Sequence, residues 1–494
     1  MAGFRRAFLL NSVERYLCLT IGFLTVTVVS RLLSPAEVGL SAIGTGLMTV
    51  ILALREFATA EFLILRPQVT REDVRTAFST LFCLYVVVAV VLMAASPWIA
   101  EFYHSQALEE FLAIVVVAGL LETCAMPITA LLRRDLAFGT LAVVTVSTAV
   151  VGAAVTVGLA ASGEGFLSFA WAWLAAAATT VVLTLCFRPA WWIFRPCLRS
   201  WRAALNFGGY NGAMAVLGRA YEALPQLVLG GILSASAAGL YNRASTICGL
   251  PDRFVISGVF TVAFPALAAE ARQGGNLKAS YLRALGYITV VYWPALAVLA
   301  LLAHPVVRLL LGADWLAVVP LVQIMCAASL FWFPVILTAP ILAAVNALRD
   351  SFLCKLVSMS VCAAVLTGAS FAGITAMALS QFFTSPFQML MALYVVRRRV
   401  FFRWSELLAG LWKSAVVCLC SMAGPSLVIG LAGFRFDLPW MLSLVAAALA
   451  AVGWLGGLFI TAHPFLAELS AVLARLKEGR KAPQDEALVV TSQE

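Results

Sequence analysis

The chain has 494 residues, of which 63% are hydrophobic and 12% charged, where soluble domains carry roughly a quarter charged residues. That excludes a soluble globular protein. The formal net charge of +9 therefore bears on membrane orientation rather than on nucleic acid, because of how the charges are distributed.

A hydrocarbon core about 30 Å thick takes roughly 20 apolar residues per helix, and backbone polar groups in lipid must pair within their own segment. On that measure the predicted fold is an all-α integral membrane protein. In chain order its spans are predicted at 8–30, 38–65, 77–100, 111–131, 140–161, 166–187 and 204–230, then at 239–265, 284–304, 315–341, 354–371, 374–396, 411–432 and 440–462. Fourteen spans is the preferred count and twelve the rival.

The connecting loops alternate in Lys/Arg content. One side holds Arg5 and Arg6, Arg66, Arg71 and Arg75, Arg133 and Arg134, Arg188, Arg195, Arg199 and Arg202, and later Arg272, Lys278, Arg283, Arg349, Lys355, Arg397 to Arg399 and Arg403; the opposite loops hold Arg31, Arg308 and Arg435. The positive-inside rule then places both termini in the cytoplasm. The basic loops set orientation and touch anionic lipid headgroups; no nucleic-acid partner is expected. The first apolar run follows Arg5 and Arg6, is too long for a signal peptide and lacks a small-residue cleavage site, so it is expected to stay as an anchor.

Enzyme chemistry finds no support. The chain has no Walker A sequence, no G-x-S-x-G and no dinucleotide fingerprint. Cys18, Cys83, Cys248, Cys326 and Cys362 sit in apolar runs without a CxxC and read as small core residues. His104, His304 and His463 are far apart in sequence, so no metal site or cofactor is expected.

An internal echo organises the chain. Leu33-Ser34-Pro35-Ala36-Glu37-Val38-Gly39-Leu40 and Leu233-Ser234-Ala235-Ser236-Ala237-Ala238-Gly239-Leu240 repeat L-S-x-x-x-x-G-L between spans 1 and 2 and between spans 7 and 8. Pro97 and Pro305, and Arg134-Asp135 and Arg349-Asp350, keep nearly the same interval. A six-helix repeat returns in the same orientation, giving two parallel lobes: 1–203 and 204–403, followed by two further helices at 404–463 and a cytoplasmic tail at 464–494. Substrate sites in such transporters lie between the lobes, which points to spans 1, 2, 7 and 8.

Val29-Ser30-Arg31-Leu32-Leu33-Ser34-Pro35-Ala36-Glu37-Val38-Gly39 resembles the first loop of the polysaccharide flippases in the multidrug/oligosaccharidyl-lipid/polysaccharide exporter superfamily. Glu56-Phe57-Ala58 is similar to their Asp-Phe-Gly, and the loop Arg66-Pro67-Gln68-Val69-Thr70-Arg71-Glu72-Asp73 follows it in the same order. Leu132-Arg133-Arg134-Asp135, Leu205-Asn206-Phe207-Gly208, Gly239-Leu240-Tyr241-Asn242-Arg243-Ala244 and Ala263-Phe264-Pro265 continue the likeness. It departs at Ala58 and at Pro225, which stands where a polar residue is common. The resemblance implies a flippase for undecaprenyl-diphosphate-linked oligosaccharides of exopolysaccharide biosynthesis, closest to rhizobial succinoglycan transporters, in the bacterial inner membrane and working with a polymerase and co-polymerase. A cation-coupled multidrug exporter and a membrane polysaccharide polymerase are the alternatives.

Such a cargo demands a wet, polar cleft. Charges within spans are costly, at least about 2.5 kcal/mol at mid-bilayer, and here they gather on spans 1, 2, 7 and 8. Arg243, with no acidic residue within a helical turn, is the leading candidate for a diphosphate contact, since a guanidinium offers a forked donor set; Arg219, Arg55 and Arg15 are further candidates. Arg219 can instead pair with Glu222, three residues on. Tyr210, Asn211, Tyr241 and Asn242 are candidates for sugar contacts or for helix packing. Glu56, Glu61 and Glu122 are candidates for coupling to Na+ or H+, because a carboxylate in a low-dielectric cleft gains a proton more readily.

Overall fold

The computed structural model describes residues 2–54, 70–197, 201–253, 276–345 and 347–470, with side chains described in these ranges except at 2–12, 201–211 and 348. Among the described residues every regular element is helical. In chain order they are α1 (Ala2–Leu32), α2 (Pro35–Ala53), α3 (Arg71–Phe102), α4 (Ala107–Arg134), α5 (Phe138–Ala161), α6 (Leu167–Phe187), α7 (Trp201–Ile232) and α8 (Ala235–Cys248). The chain continues with α9 (Leu277–Leu301), α10 (Ala303–Leu310), α11 (Val319–Ser329), α12 (Phe333–Ala344), α13 (Leu348–Ser370), α14 (Ile374–Leu379), α15 (Gln381–Val400), α16 (Trp404–Leu431) and α17 (Trp440–Ile460).

Twelve helical segments among the described residues are long and apolar enough to cross a membrane. Of the other two expected spans, 204–230 lies within α7, and 239–265 is helical as α8 over 239–248, its residues 254–265 lying outside the described ones. α7 carries Asn206, Tyr210, Asn211, Arg219 and Glu222 and is the more polar for it. The protein is a multi-pass membrane protein, and its outward surface agrees: Val87, Val90, Val91, Leu419, Leu431, Val452, Phe459 and Ile460 are all exposed. Cys83, expected in the core, is exposed on α3. A lipid-facing position is as apolar as a core position, so composition cannot separate the two.

The chain falls into two compact units. The first comprises Met1–Ile247, Val307–Met325 and Leu348–Met391. In it α6 packs on α4 and α5, α5 on α1, α3 on α4, and α7 on α2 and α13. One end of α3 is anchored by a single 3-10 turn, Trp191–Phe194. Ile193 is fully buried with Val74, Phe78 and Leu131, and Arg75 donates to the carbonyls of Arg195 and Pro196 at 3.0 and 3.1 Å.

The two echoed segments meet in this unit, and each conserves the same local logic. Ser34 caps α2 in a reciprocal capping box with Glu37, with Pro35 in the first turn, and Ser234 Oγ accepts from the backbone N–H of Ala237 at 3.2 Å at the start of α8. Five residues beyond each serine lie Gly39 and Gly239, where α2 and α8 touch backbone to backbone. A Cβ on Gly39 would overlap the carbonyl oxygen of Ala235 and lie 2.9 Å from the nitrogen of Gly239; one on Gly239 would overlap the carbonyl oxygen of Pro35 and lie 2.9 Å from the nitrogen of Gly39. Glycine is required at both places because no side chain fits.

The second unit comprises Cys248–Val306, Cys326–Ala347 and Ala392–Glu494. α9, α16 and α17 pack together in it. Gly453 of α17 lies against the carbonyl of Cys420, and the Trp454 indole donates to the Val290 carbonyl at 2.8 Å. Ser414 links Thr289 Oγ1, the Gly286 carbonyl and His463 Nε2 at 3.0, 3.2 and 3.4 Å. His463 Nδ1 accepts from the N–H of Phe465 at 3.1 Å. Its Nδ1 therefore carries no proton. Burial, with the Lys413 ammonium nearby, holds this imidazole below the usual histidine range.

Two outcomes follow from this packing. Gly39→Ala should lower the thermal midpoint, by an overpacking cost of about 1–3 kcal/mol, while Gly158→Ala, whose Cβ meets nothing within 4 Å, should leave it unchanged or raise it. Because the folded state holds His463 neutral, its contribution is complete above an unfolded pKa of about 6.5 and is lost as pH falls below that value. The midpoint of the wild type should fall more steeply from pH 7.5 to 5.5 than that of His463→Asn, which keeps an acceptor for Phe465.

Candidate functional site

The crossing of α2 and α8 fixes what stands beside it. Gly239 and Arg243 are four residues apart and share one face of α8, and helical side chains lean toward the N-terminus. The Arg243 side chain therefore leads off the same face as the crossing. Arg243 is 5% exposed. Its guanidinium lies 5.8 Å from the ring centroid of Trp315, and its Nε and Nη2 have no hydrogen-bond partner among the described residues.

Trp315 is held in turn. It is 1% exposed, and its indole N–H donates to the Ser30 carbonyl at the end of α1 at 2.6 Å. Arg31, the next residue, donates to the Leu309 carbonyl at 2.6 Å. Two bonds thus tie the segment 309–315 to the end of α1, and Gly312 lets that segment turn with φ of +105°. The Ser30 hydroxyl is buried and has no partner among the described residues.

The other expected residues separate into groups. Arg219 Nη1 meets Glu222 Oε2 at 2.8 Å on one face of α7, with both side chains more than half exposed, so this pair is made as its spacing predicts. Arg15 is exposed on α1. Arg55, Glu56 and Glu61 lie outside the described residues, and Tyr210 and Asn211 are in α7 with side chains outside them.

Tyr241 is buried, and its hydroxyl accepts from Gln381 Nε2 at 2.6 Å; Asn242, beside it, is half-buried. Nearby on α7, Tyr221 accepts from the buried Gln388 at 2.9 Å. Gln381 and Gln388 are a polar seam on α15 that makes these tyrosines packing groups in this state. Glu122 is half-buried on α4 and accepts from the Trp173 indole of α6 at 2.6 Å.

Ser30, Trp315, Trp173, Gln381 and Gln388 were not among the sequence candidates. A tryptophan near a span end reads as an interfacial anchor, and nothing local ties position 315 to position 30, across 285 residues. The absence of an acidic residue within a helical turn of Arg243 is the signal in the sequence that sets this arginine apart.

This architecture is that of known membrane transporters. The structure described as lipid II flippase MurJ in an inward closed conformation superposes with a TM-score of 0.74 at 13% identity, covering 93% of this chain and 99% of that one. An inward-facing multidrug resistance MATE family transporter of the MOP superfamily superposes with a TM-score of 0.63 at 12% identity, covering 80% of this chain and 98% of that one. These matches define the fold. Residues 28–320 match the family described as polysaccharide biosynthesis protein, and the chain belongs to that family.

Curated relatives include the lipopolysaccharide biosynthesis protein WzxC of Escherichia coli (strain K12), 23% identical over 65% of each chain. The succinoglycan biosynthesis transport protein ExoT of Rhizobium meliloti (strain 1021) is 24% identical over 59% of each. The alignments span 65% and 59% of these relatives' lengths, less than two thirds of either.

These two side-chain pairs differ in burial and so in worth. Glu222→Gln should change the thermal midpoint by an amount equivalent to less than about 0.5 kcal/mol, since an exposed i,i+3 pair is screened. Trp173→Phe removes a half-buried donor to a carboxyl group and should cost about 1–3 kcal/mol, read as a clearly lower midpoint in the same detergent.

Proposed function

We propose that this protein moves an undecaprenyl-diphosphate-linked oligosaccharide repeat unit from the cytoplasmic to the periplasmic leaflet of a bacterial inner membrane, for exopolysaccharide synthesis. Family membership, relatives concerned with lipopolysaccharide and succinoglycan, and a fold shared with a lipid II flippase support this reading. Both termini are cytoplasmic in it, in accord with the distribution of basic loops. The observation that carries it is Arg243, a buried guanidinium whose Nε and Nη2 donors have no partner among the described residues. A diphosphate headgroup is the kind of anion that would use them. The protein acts by transport, with no reaction of its own, and supplies a polymerase and co-polymerase with units on the outer leaflet.

The cargo must leave its polyprenyl tail in lipid while its charged head crosses, so the head needs fixed donors in place of water. Arg243 meets the diphosphate, and Arg219, Arg55 and Arg15 line its path. The sugar is held by Asn242 and by Tyr210, Asn211 and Tyr241 once the helices part. Coupling to H+ or Na+ runs through Glu122, with Glu56 and Glu61 as further carboxylates. The Trp173 indole would hold the Glu122 carboxyl in place in either protonation state.

Deleting the gene in its own bacterium, followed by mass spectrometry of extracted lipids and digestion with a membrane-impermeant glycosidase, tests the reading. Complete lipid-linked units should accumulate shielded from the enzyme. Wild-type protein should release them, and Arg243→Ala at equal expression should release at least tenfold fewer, the loss of one hydrogen-bonded charge contact being worth about 1.5–3 kcal/mol. Units that reach the outer leaflet but stay unpolymerised would overturn flipping in favour of a polymerase.

A further inference from the structure

On a guanidinium, Nε–H and the adjacent Nη2–H lie along one edge and point the same way, matching two oxygens of a single phosphate or carboxylate. In Arg243 these are the two donors without a partner among the described residues. The Ser30 hydroxyl is likewise buried without a partner among the described residues, and both residues bear on Trp315: Arg243 over its ring face at 5.8 Å and Ser30 through its own carbonyl on the indole N–H at 2.6 Å. Buried polar atoms are normally satisfied. Three donor atoms without a partner among the described residues, on a cation and a hydroxyl whose residues both touch Trp315, have the composition of an oxyanion seat.

We propose that Ser30, Arg243 and Trp315 together form a seat for one phosphate of the cargo's diphosphate, in which Trp315 is the positioning residue. Its ring attracts the guanidinium through its face without occupying any N–H, so the charge is held in place with its forked edge still able to donate. A carboxylate in the same place would hold the arginine equally well but would consume that edge. The bond from Trp315 to Ser30, with Arg31 on the Leu309 carbonyl, sets the plane of the ring from the end of α1, and the Ser30 hydroxyl supplies a third donor. This rests on the flippase reading for the identity of the anion, and it assigns two residues, Ser30 and Trp315, to a site otherwise built on arginine alone.

The test uses the full-length protein purified in detergent, with undecaprenyl diphosphate, undecaprenol and inorganic pyrophosphate as probes, read by binding and by thermal midpoint. Undecaprenyl diphosphate should raise the wild-type midpoint and undecaprenol should not. Ser30→Ala and Trp315→Leu should each weaken undecaprenyl diphosphate binding about tenfold, with Trp315→Phe retaining part of it because the ring face remains. The unliganded midpoint of Ser30→Ala should stay level or rise, since an unpaired buried hydroxyl is removed.

Wild-type affinity for undecaprenyl diphosphate unaltered in Ser30→Ala and Trp315→Leu would overturn the seat, as would a loss that merely follows a lowered unliganded midpoint. No response of the wild type, in a protein whose deletion still traps lipid-linked units on the inner leaflet, would sink the seat and leave flipping standing. Conversely, normal export in the deletion strain would remove the flippase reading, while pyrophosphate binding that depends on Ser30 and Trp315 would uphold the seat.

Discussion

The backbone contact of α2 with α8 at Gly39 and Gly239 is the constraint on which the rest of the first unit depends. Between helices in lipid there is no water to release, so association rests on close van der Waals contact and on the few polar groups that find partners. Two glycines that admit no Cβ bring the helix axes as near as helices come. The serine caps five residues earlier start both helices at matching points, so the crossing falls in the first turns of each. Arg243 follows one turn after Gly239. Its burial is thus a consequence of the same packing that makes the crossing, and a looser contact would leave that guanidinium in the open.

Magnitudes show why this arginine differs from its neighbours. Taking a cation out of water costs several kcal/mol even after relaxation, and a desolvated cation–π contact returns about 2 kcal/mol or somewhat more. Trp315 therefore offsets part of the cost but leaves uncompensated the two donors that have no partner among the described residues. Arg219 stands in the opposite position. It has Glu222 on its own face and remains more than half exposed, so it holds little free energy for an anion to release. Of these two arginines, the buried one gains far more from a ligand, because the donors that an incoming phosphate would engage are already stripped of water and cost nothing further to desolvate.

Much of this was legible in the sequence, for reasons that are physical. Helix length and apolar run length are set by the same bilayer thickness, so the spans 111–131, 140–161, 166–187 and 440–462 fall within or nearly on α4, α5, α6 and α17. The echo L-S-x-x-x-x-G-L was readable because a cap and a close approach each demand a residue type at a fixed offset. The Arg219 and Glu222 pair was readable because helical spacing alone brings it together. What stayed hidden depends on distant parts of the chain. Trp315 meets Ser30 across 285 residues, and Gln381 and Gln388 reach tyrosines of α8 and α7 across 140 and 167. Periodicity carries no information on such meetings, and in a membrane protein hydropathy does not even separate core from lipid face, as Cys83 shows.

The tyrosines make the same point from the side of function. Tyr241 and Tyr221 have the chemistry of sugar-binding groups, yet each hydroxyl is taken by a glutamine, whereas the Nε and Nη2 donors of Arg243 are taken by nothing described. A glutamine amide replaces a sugar hydroxyl almost evenly, one neutral hydrogen bond for another, so exchanging it for cargo changes little free energy. An arginine edge passing from no partner to a phosphate changes a great deal. If a cargo is to alter the balance between two arrangements of these helices, it can do so only by binding one of them better than the other. That differential sits with the groups left unsatisfied in this arrangement, so an anionic group of a cargo would carry the leverage and its neutral groups would refine it.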